Sequence, residues 1–123
     1  MRLKASELSF KQDKCFFNGR LFTGVGFYME KGRVTSIIEY LNGRSIGEYE
    51  SPWICIKESK LAIDKDALES NDGFEPFIWE GKRFTGVAYD FDEERCVGEL
   101  LIENGLIKEE ISFFDGNSPA FYE

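Results

Sequence analysis

A chain of 123 residues with twelve Phe, five Tyr and two Trp can bury a sizeable core without disulfides. It has no histidine, which excludes Ser-His-Asp and Cys-His nucleophilic mechanisms and every imidazole-dependent metal site. The net charge of −8 is uneven: residues 1–62 hold ten Lys/Arg and seven Asp/Glu, and residues 63–123 hold five and sixteen, so the second half argues for a basic protein partner and against nucleic acid or an anionic membrane.

The opening stretch Met1–Glu7 has no apolar run of signal-peptide length, and no run approaches the ~20 apolar residues of a membrane helix, so a cytoplasmic protein is expected. Cys15, Cys55 and Cys96 are odd in number, lie far apart and show no zinc spacing. They read as buried thiols in strand-like stretches. Asn18-Gly19 is the first of five Asn-Gly or Asp-Gly dipeptides, followed by Asn42-Gly43, Asp72-Gly73, Asn104-Gly105 and Asp115-Gly116. Such pairs accept positive φ and mark tight hairpin turns.

Phe22-Thr23-Gly24-Val25 then opens a pattern that returns 62 residues later as Phe84-Thr85-Gly86-Val87, without a gap. Gly19 returns as Gly81, Arg33 as Arg95, and Asn42-Gly43 as Asn104-Gly105. An internal repeat fixes architecture before any other feature. Alternation places Val25, Phe27 and Met29, and again Val87, Tyr89 and Phe91, toward a core. Tyr28, Asp90 and Glu99 are expected outside. Tips at 30–33 and 92–95 lead into return strands. Val34, Ile38 and Tyr40 match Cys96, Leu100 and Ile102 on one face. Thr35, Ile37 and Glu39 match Val97, Glu99 and Leu101 on a second, mixed face that is expected to be only partly covered. Between the repeats, residues 59–76 break the strand pattern, and 64–69 could form one or two helical turns capped by Asp64 or Asp66.

The expected fold is all-β: two related units of antiparallel hairpins, about 15–48 and 77–110, form a twisted sheet in one domain. A short helical or irregular connector spans about 49–76.

A finer pattern of an aromatic or apolar residue, x, Gly, x, x and then often a second Gly further on recurs in Phe17–Gly24, Tyr40–Gly47 and Trp79–Gly86. Here the chain resembles the variant MORN repeat, in the form found in bacterial antitoxin and immunity proteins. The phrases Gly19-Arg20-Leu21-Phe22-Thr23-Gly24-Val25 and Gly81–Tyr89 carry the resemblance, which covers roughly 15–48 and 77–116. The second Gly after Asn104-Gly105 is missing, and 49–76 departs from the pattern. The resemblance implies a non-catalytic protein-binding module that neutralises a bacterial toxin by masking its active site. A structural or adaptor repeat protein is the alternative.

No constellation of residues points to catalysis, a cofactor or a metal. Asp90, Asp92, Glu93 and Glu94 could offer oxygen ligands to a hard cation, but their counterparts Tyr28-Met29-Glu30-Lys31-Gly32 hold one carboxylate, and a solvated hairpin tip is the simpler reading. As partner contacts the charge balance nominates Asp90, Asp92, Glu93, Glu94 and Glu99, with Glu103, Glu109 and Glu110 at the rim. Tyr28 is the aromatic anchor. Trp79, Phe113, Phe114 and Tyr122 are further aromatics that either anchor a partner or cover the second sheet face.

Overall fold

Four of the five turn dipeptides reverse the chain with both residues at positive φ: Asn18-Gly19, Asn42-Gly43, Asp72-Gly73 and Asn104-Gly105. Two-residue turns of this kind match the twist of the strands they join. The computed structural model describes residues 1–49 and 62–113, so Asp115-Gly116, Cys55, Phe114 and Tyr122 lie outside the described residues.

The turns divide the chain into two matching sets of strands. Unit 1 comprises β1 (Arg2–Lys4), β2 (Ser9–Lys11), β3 (Lys14–Phe17), β4 (Arg20–Leu21), β5 (Gly24–Glu30), β6 (Arg33–Leu41) and β7 (Arg44–Glu48). Unit 2 repeats it as β8 (Ala62–Asp64), β9 (Glu69–Asn71), β10 (Phe74–Trp79), β11 (Lys82–Arg83), β12 (Gly86–Asp92), β13 (Arg95–Glu103) and β14 (Leu106–Ser112). A single 3-10 turn follows the first strand of each, at Ala5–Glu7 and Lys65–Ala67. Asp64 caps the second turn by accepting from the Asp66 N–H at 3.0 Å. The expected helical turn is therefore present. The rest of 62–76 is not connector, because it supplies the first two strands of unit 2 and the start of the third. Without identities at the 62-residue offset, that part of the repeat was invisible.

The repeated Phe-Thr-Gly phrase has the same structural task in each unit. Phe22 N–H donates to Cys15 O at 2.9 Å and its carbonyl accepts from Gly43 N at 2.8 Å. Phe84 does the same with Phe77 at 3.0 Å and Gly105 at 2.8 Å. Thr23 and Thr85 each accept, through Oγ1, from the Asn of the hairpin turn at 2.9 Å. A Cβ on Gly24 would stand 2.2 Å from Met1 O, the carbonyl that takes the Val25 N–H, so no other residue fits there.

The two units close on each other. Within each unit the first strand pairs in parallel with the long outgoing strand, β1 with β5 and β8 with β12. The sequence reads as antiparallel strands only. The three-stranded meander between β1 and β5 provides the long crossover that parallel pairing needs. Across the units, β1 meets β13 at Leu3–Arg95 and β8 meets β6 at Ile63–Arg33. The pairings β1-β5-β6-β8-β12-β13 thus return to β1, a ring of six strands with approximate twofold symmetry. Two counterpart pairs touch across it: the rings of Phe27 and Tyr89, 4.9 Å apart, and the ion pair of Lys4 and Asp64 at 3.7 Å.

Three cores result. Val25, Phe27, Tyr89, Phe91, Cys96 and Phe113 fill the ring interior. Leu3, Leu8, Cys15, Phe22 and Tyr40 form an outer core in unit 1, and Ile63, Leu68, Phe77, Phe84, Leu100 and Ile102 form its match in unit 2. The expected burial of Val25, Phe27, Tyr89, Phe84 and Leu100 is observed, with Val87 half-buried. The reading of the return strands needs correction. Bulges between Tyr28 and Met29 and between Asp90 and Phe91 move Val34 and Cys96 to the side of Ile37 and Glu99. That side, expected to be partly covered, faces the ring interior.

A candidate protein-binding site

The β12–β13 reversal carries Asp92, Glu93, Glu94 and Arg95, all exposed, with Glu93 at positive φ. Closure of the ring lays this tip over β1, where Lys4 N–H donates to Glu94 O at 2.9 Å. The tip therefore overhangs the start of unit 1. Beneath it lies a cleft of about 380 Å³, floored by Leu3 and Phe17 and walled by Glu7 and the tip. Glu7 was not nominated from sequence. It lies far from the tip along the chain, and only the unit-to-unit closure brings it there.

The twofold counterpart of this cleft is shut. The tip of unit 1 docks on unit 2 through Asp64 N–H to Gly32 O at 2.8 Å. There Gly32, Ala67 and Trp79 replace Glu94, Glu7 and Phe17. Gly32 packs so tightly that an added Cβ would lie 2.7 Å from the Ala67 Cβ. Trp79 is thus half-buried against that side of the molecule.

The remaining nominated residues do not all share a surface with the tip. Asp90 projects from the outer face of β12 and reaches Lys65 at 3.9 Å. Partial burial raises its carboxyl above the ordinary value, Lys65 opposes the rise, and Asp66, Glu110 and Asp64 add to it. Glu109 and Glu110 are exposed on β14. Glu103 lies at the other end of β13 from the tip, about 26 Å along the strand, and pairs with Lys108 at 3.6 Å. Tyr28 is the counterpart of Asp90 in unit 1, so it stands on the other half of the ring. It is half-buried and shares a 2.6 Å hydrogen bond with the Tyr40 hydroxyl.

The raised Asp90 sets a pH dependence. The folded chain holds this proton more tightly than the unfolded chain, so its contribution is favourable at low pH and is lost as pH rises through the folded-state value. Asp90→Asn is expected to raise Tm at pH 7, with the gap to wild type closing toward roughly pH 4. A wild type that is more stable at neutral pH would show that the Lys65 pair outweighs burial.

Glu99 requires a correction. It was expected outside as a partner contact, yet its exposure is 0%. Its register partner Tyr89 points into the ring, so Glu99 does too. Tyr89 and Tyr49 each donate a hydroxyl to its carboxylate at 3.2 Å. Arg2, also buried, lies with its guanidinium 4.0 Å from the Phe113 ring centre and 4.6 Å from that of Tyr49. Among the described residues, Arg2 Nε and Nη1 have no hydrogen-bond partner. Burial and the Glu99 carboxylate push the Tyr49 hydroxyl up to about 12 and raise that of Tyr89 further. Phe113, one of the aromatics left open between anchor and cover, is buried.

Burial also pushes the Cys15 thiol up to about 11 and the Cys96 thiol to about 12, so neither is a ready nucleophile. Among the described residues no group of three or more His, Cys, Asp or Glu is placed to hold a metal ion, and no helix is long and apolar enough to cross a membrane. Comparison with known proteins found no matching family model, no matching curated protein and no matching solved structure.

Proposed function

We propose that this chain is a non-catalytic, cytoplasmic protein-binding module of the variant MORN antitoxin or immunity type. It neutralises a basic toxin by masking the toxin's active site. One observation carries the reading: the acidic cleft between the β12–β13 tip and Glu7 is open, whereas its twofold counterpart is packed shut by Gly32, Ala67 and Trp79. Pure scaffold function gives no reason for that difference. The cleft suits a Lys or Arg side chain, with its stem on Phe17 and its charge between Glu7 and Asp92–Glu94. The surrounding acidic unit would steer a basic surface toward it. The partner contacts assigned are Asp92, Glu93 and Glu94, with Glu7 added and Asp90 and Glu110 beside them. Tyr28 and Glu103 belong to other surfaces.

The test is co-expression with the toxin-like product of a neighbouring gene. Wild type should protect cells. A variant with Asp92, Glu93 and Glu94 all changed to Lys should fold and fail to protect, because a hairpin tip adds little to the core. Full protection by that variant would move the interface elsewhere.

A further inference from the structure

The two units differ in length by a single dipeptide up to the end of β7. They run in step from Arg2 and Ala62 through Lys14 and Phe74. Glu75-Pro76 then intervenes, and Cys15 and Phe77 resume the match. In unit 2 this dipeptide fills a groove between the β9–β10 and β13–β14 turns. Pro76 lies over Gly105, where an added Cβ would come within 2.9 Å of its ring. The Glu75 carboxylate accepts from Ile107 N–H at 2.6 Å.

Unit 1 lacks the dipeptide: Leu21 packs over Gly43, its Cδ2 2.7 Å from where a Cβ would stand, and a groove runs beside it. The groove is open, about 350 Å³, floored by Cys15 and Tyr40, with Phe10 on one wall and Gly43 and Ser45 on the other. Phe10 is 55% exposed, and its counterpart in unit 2 is Ser70. The Ser45 N–H has the orientation of the Ile107 N–H. The hairpin closes on the pair Leu41–Arg44, so the next pair, Tyr40–Ser45, is of the kind whose N–H groups point away from the partner strand. Lys11 lines the groove, and Lys14 and Arg44 are exposed next to Cys15 and Ser45 in the chain, where unit 2 has uncharged Asn71, Phe74 and Leu106. Asp13 also lines it.

We propose that this groove docks an extended acidic segment of another protein. The segment's carboxylate takes the Ser45 N–H, and an adjoining proline packs against Phe10. Unit 2 supplies the template for the occupant, and the three basic side chains supply the complementary charge. The site is separate from the acidic cleft and does not depend on the function assigned to that cleft.

Amide chemical shifts of the full chain, titrated with a capped peptide centred on Glu-Pro, test this directly. The Ser45 and Phe10 amides should move together and saturate. A Gln-Pro peptide should bind about tenfold more weakly, since a charge-assisted bond is lost, and added salt should weaken the Glu-Pro peptide. Inserting Glu-Pro between Lys14 and Cys15 should abolish binding by bringing the chain's own carboxylate to the Ser45 N–H. Phe10→Ser, which carries unit 2's residue at an exposed site, should weaken binding with the fold intact. No saturable shift, shifts centred in unit 2, or unchanged binding to the insertion variant would overturn the proposal.

Discussion

Phe84→Ala is expected to lower the free energy of unfolding by about 3–5 kcal/mol. The side chain is 2% exposed in the outer core of unit 2. Its backbone also ties β10 to the Asn104-Gly105 turn through the Phe77 and Gly105 hydrogen bonds. Removing the ring leaves a cavity between elements that those bonds hold in place, so the site has little freedom to collapse. Phe22→Ala should cost a similar amount, because Phe22 has the same partners in unit 1. Urea unfolding measures both. A loss below about 1 kcal/mol at either position would contradict the assignment of the repeated Phe as the plug of each outer core.

Glu99→Ile should cost about 3–5 kcal/mol. The substitution places at Glu99 the residue that unit 1 carries in the same place, Ile37, so its shape is already compatible with the ring. The cost arises from what remains. Arg2 keeps its charge inside the ring without the Glu99 carboxylate, and the Tyr49 and Tyr89 hydroxyls lose their acceptor. Arg2→Met combined with Glu99→Ile removes the charge as well and should recover much of the loss, with a coupling of more than about 1 kcal/mol. Additive losses in the double variant would show that Arg2 and Glu99 do not depend on each other.

The repeat made much of the fold legible. The Asn-Gly turns, the Phe-Thr-Gly phrase and the alternation in β5 and β12 depend on local rules, and the structure keeps them. The parts that were hidden depend on closure. Arg2 pairs with Val25, and Glu99 sits across from Tyr89, so both charges enter the ring only because the ring exists. On an open sheet Glu99 would meet water, as alternation had it. The repeat in residues 2–14 was masked by the Glu75-Pro76 insertion, which changes the offset from 60 to 62. The candidate site was half legible. The charge run Asp92-Glu93-Glu94 is visible in the chain, but Glu7 and the Leu3–Phe17 floor come to it through the contact between units. Tyr28 and Asp90 occupy equivalent places on the outer faces of the two units, and twofold symmetry sets outer places apart.

The decisive point is whether the acidic tip and cleft receive a basic partner. The direct measurement is the association rate of this chain with the neighbouring gene's product, at low and high salt, for wild type and for the variant with Lys at positions 92, 93 and 94. Wild type should associate fast, with a rate that falls steeply as salt is added, and the variant should associate slowly with little dependence on salt. Equal rates for the two proteins at both salt concentrations would contradict this.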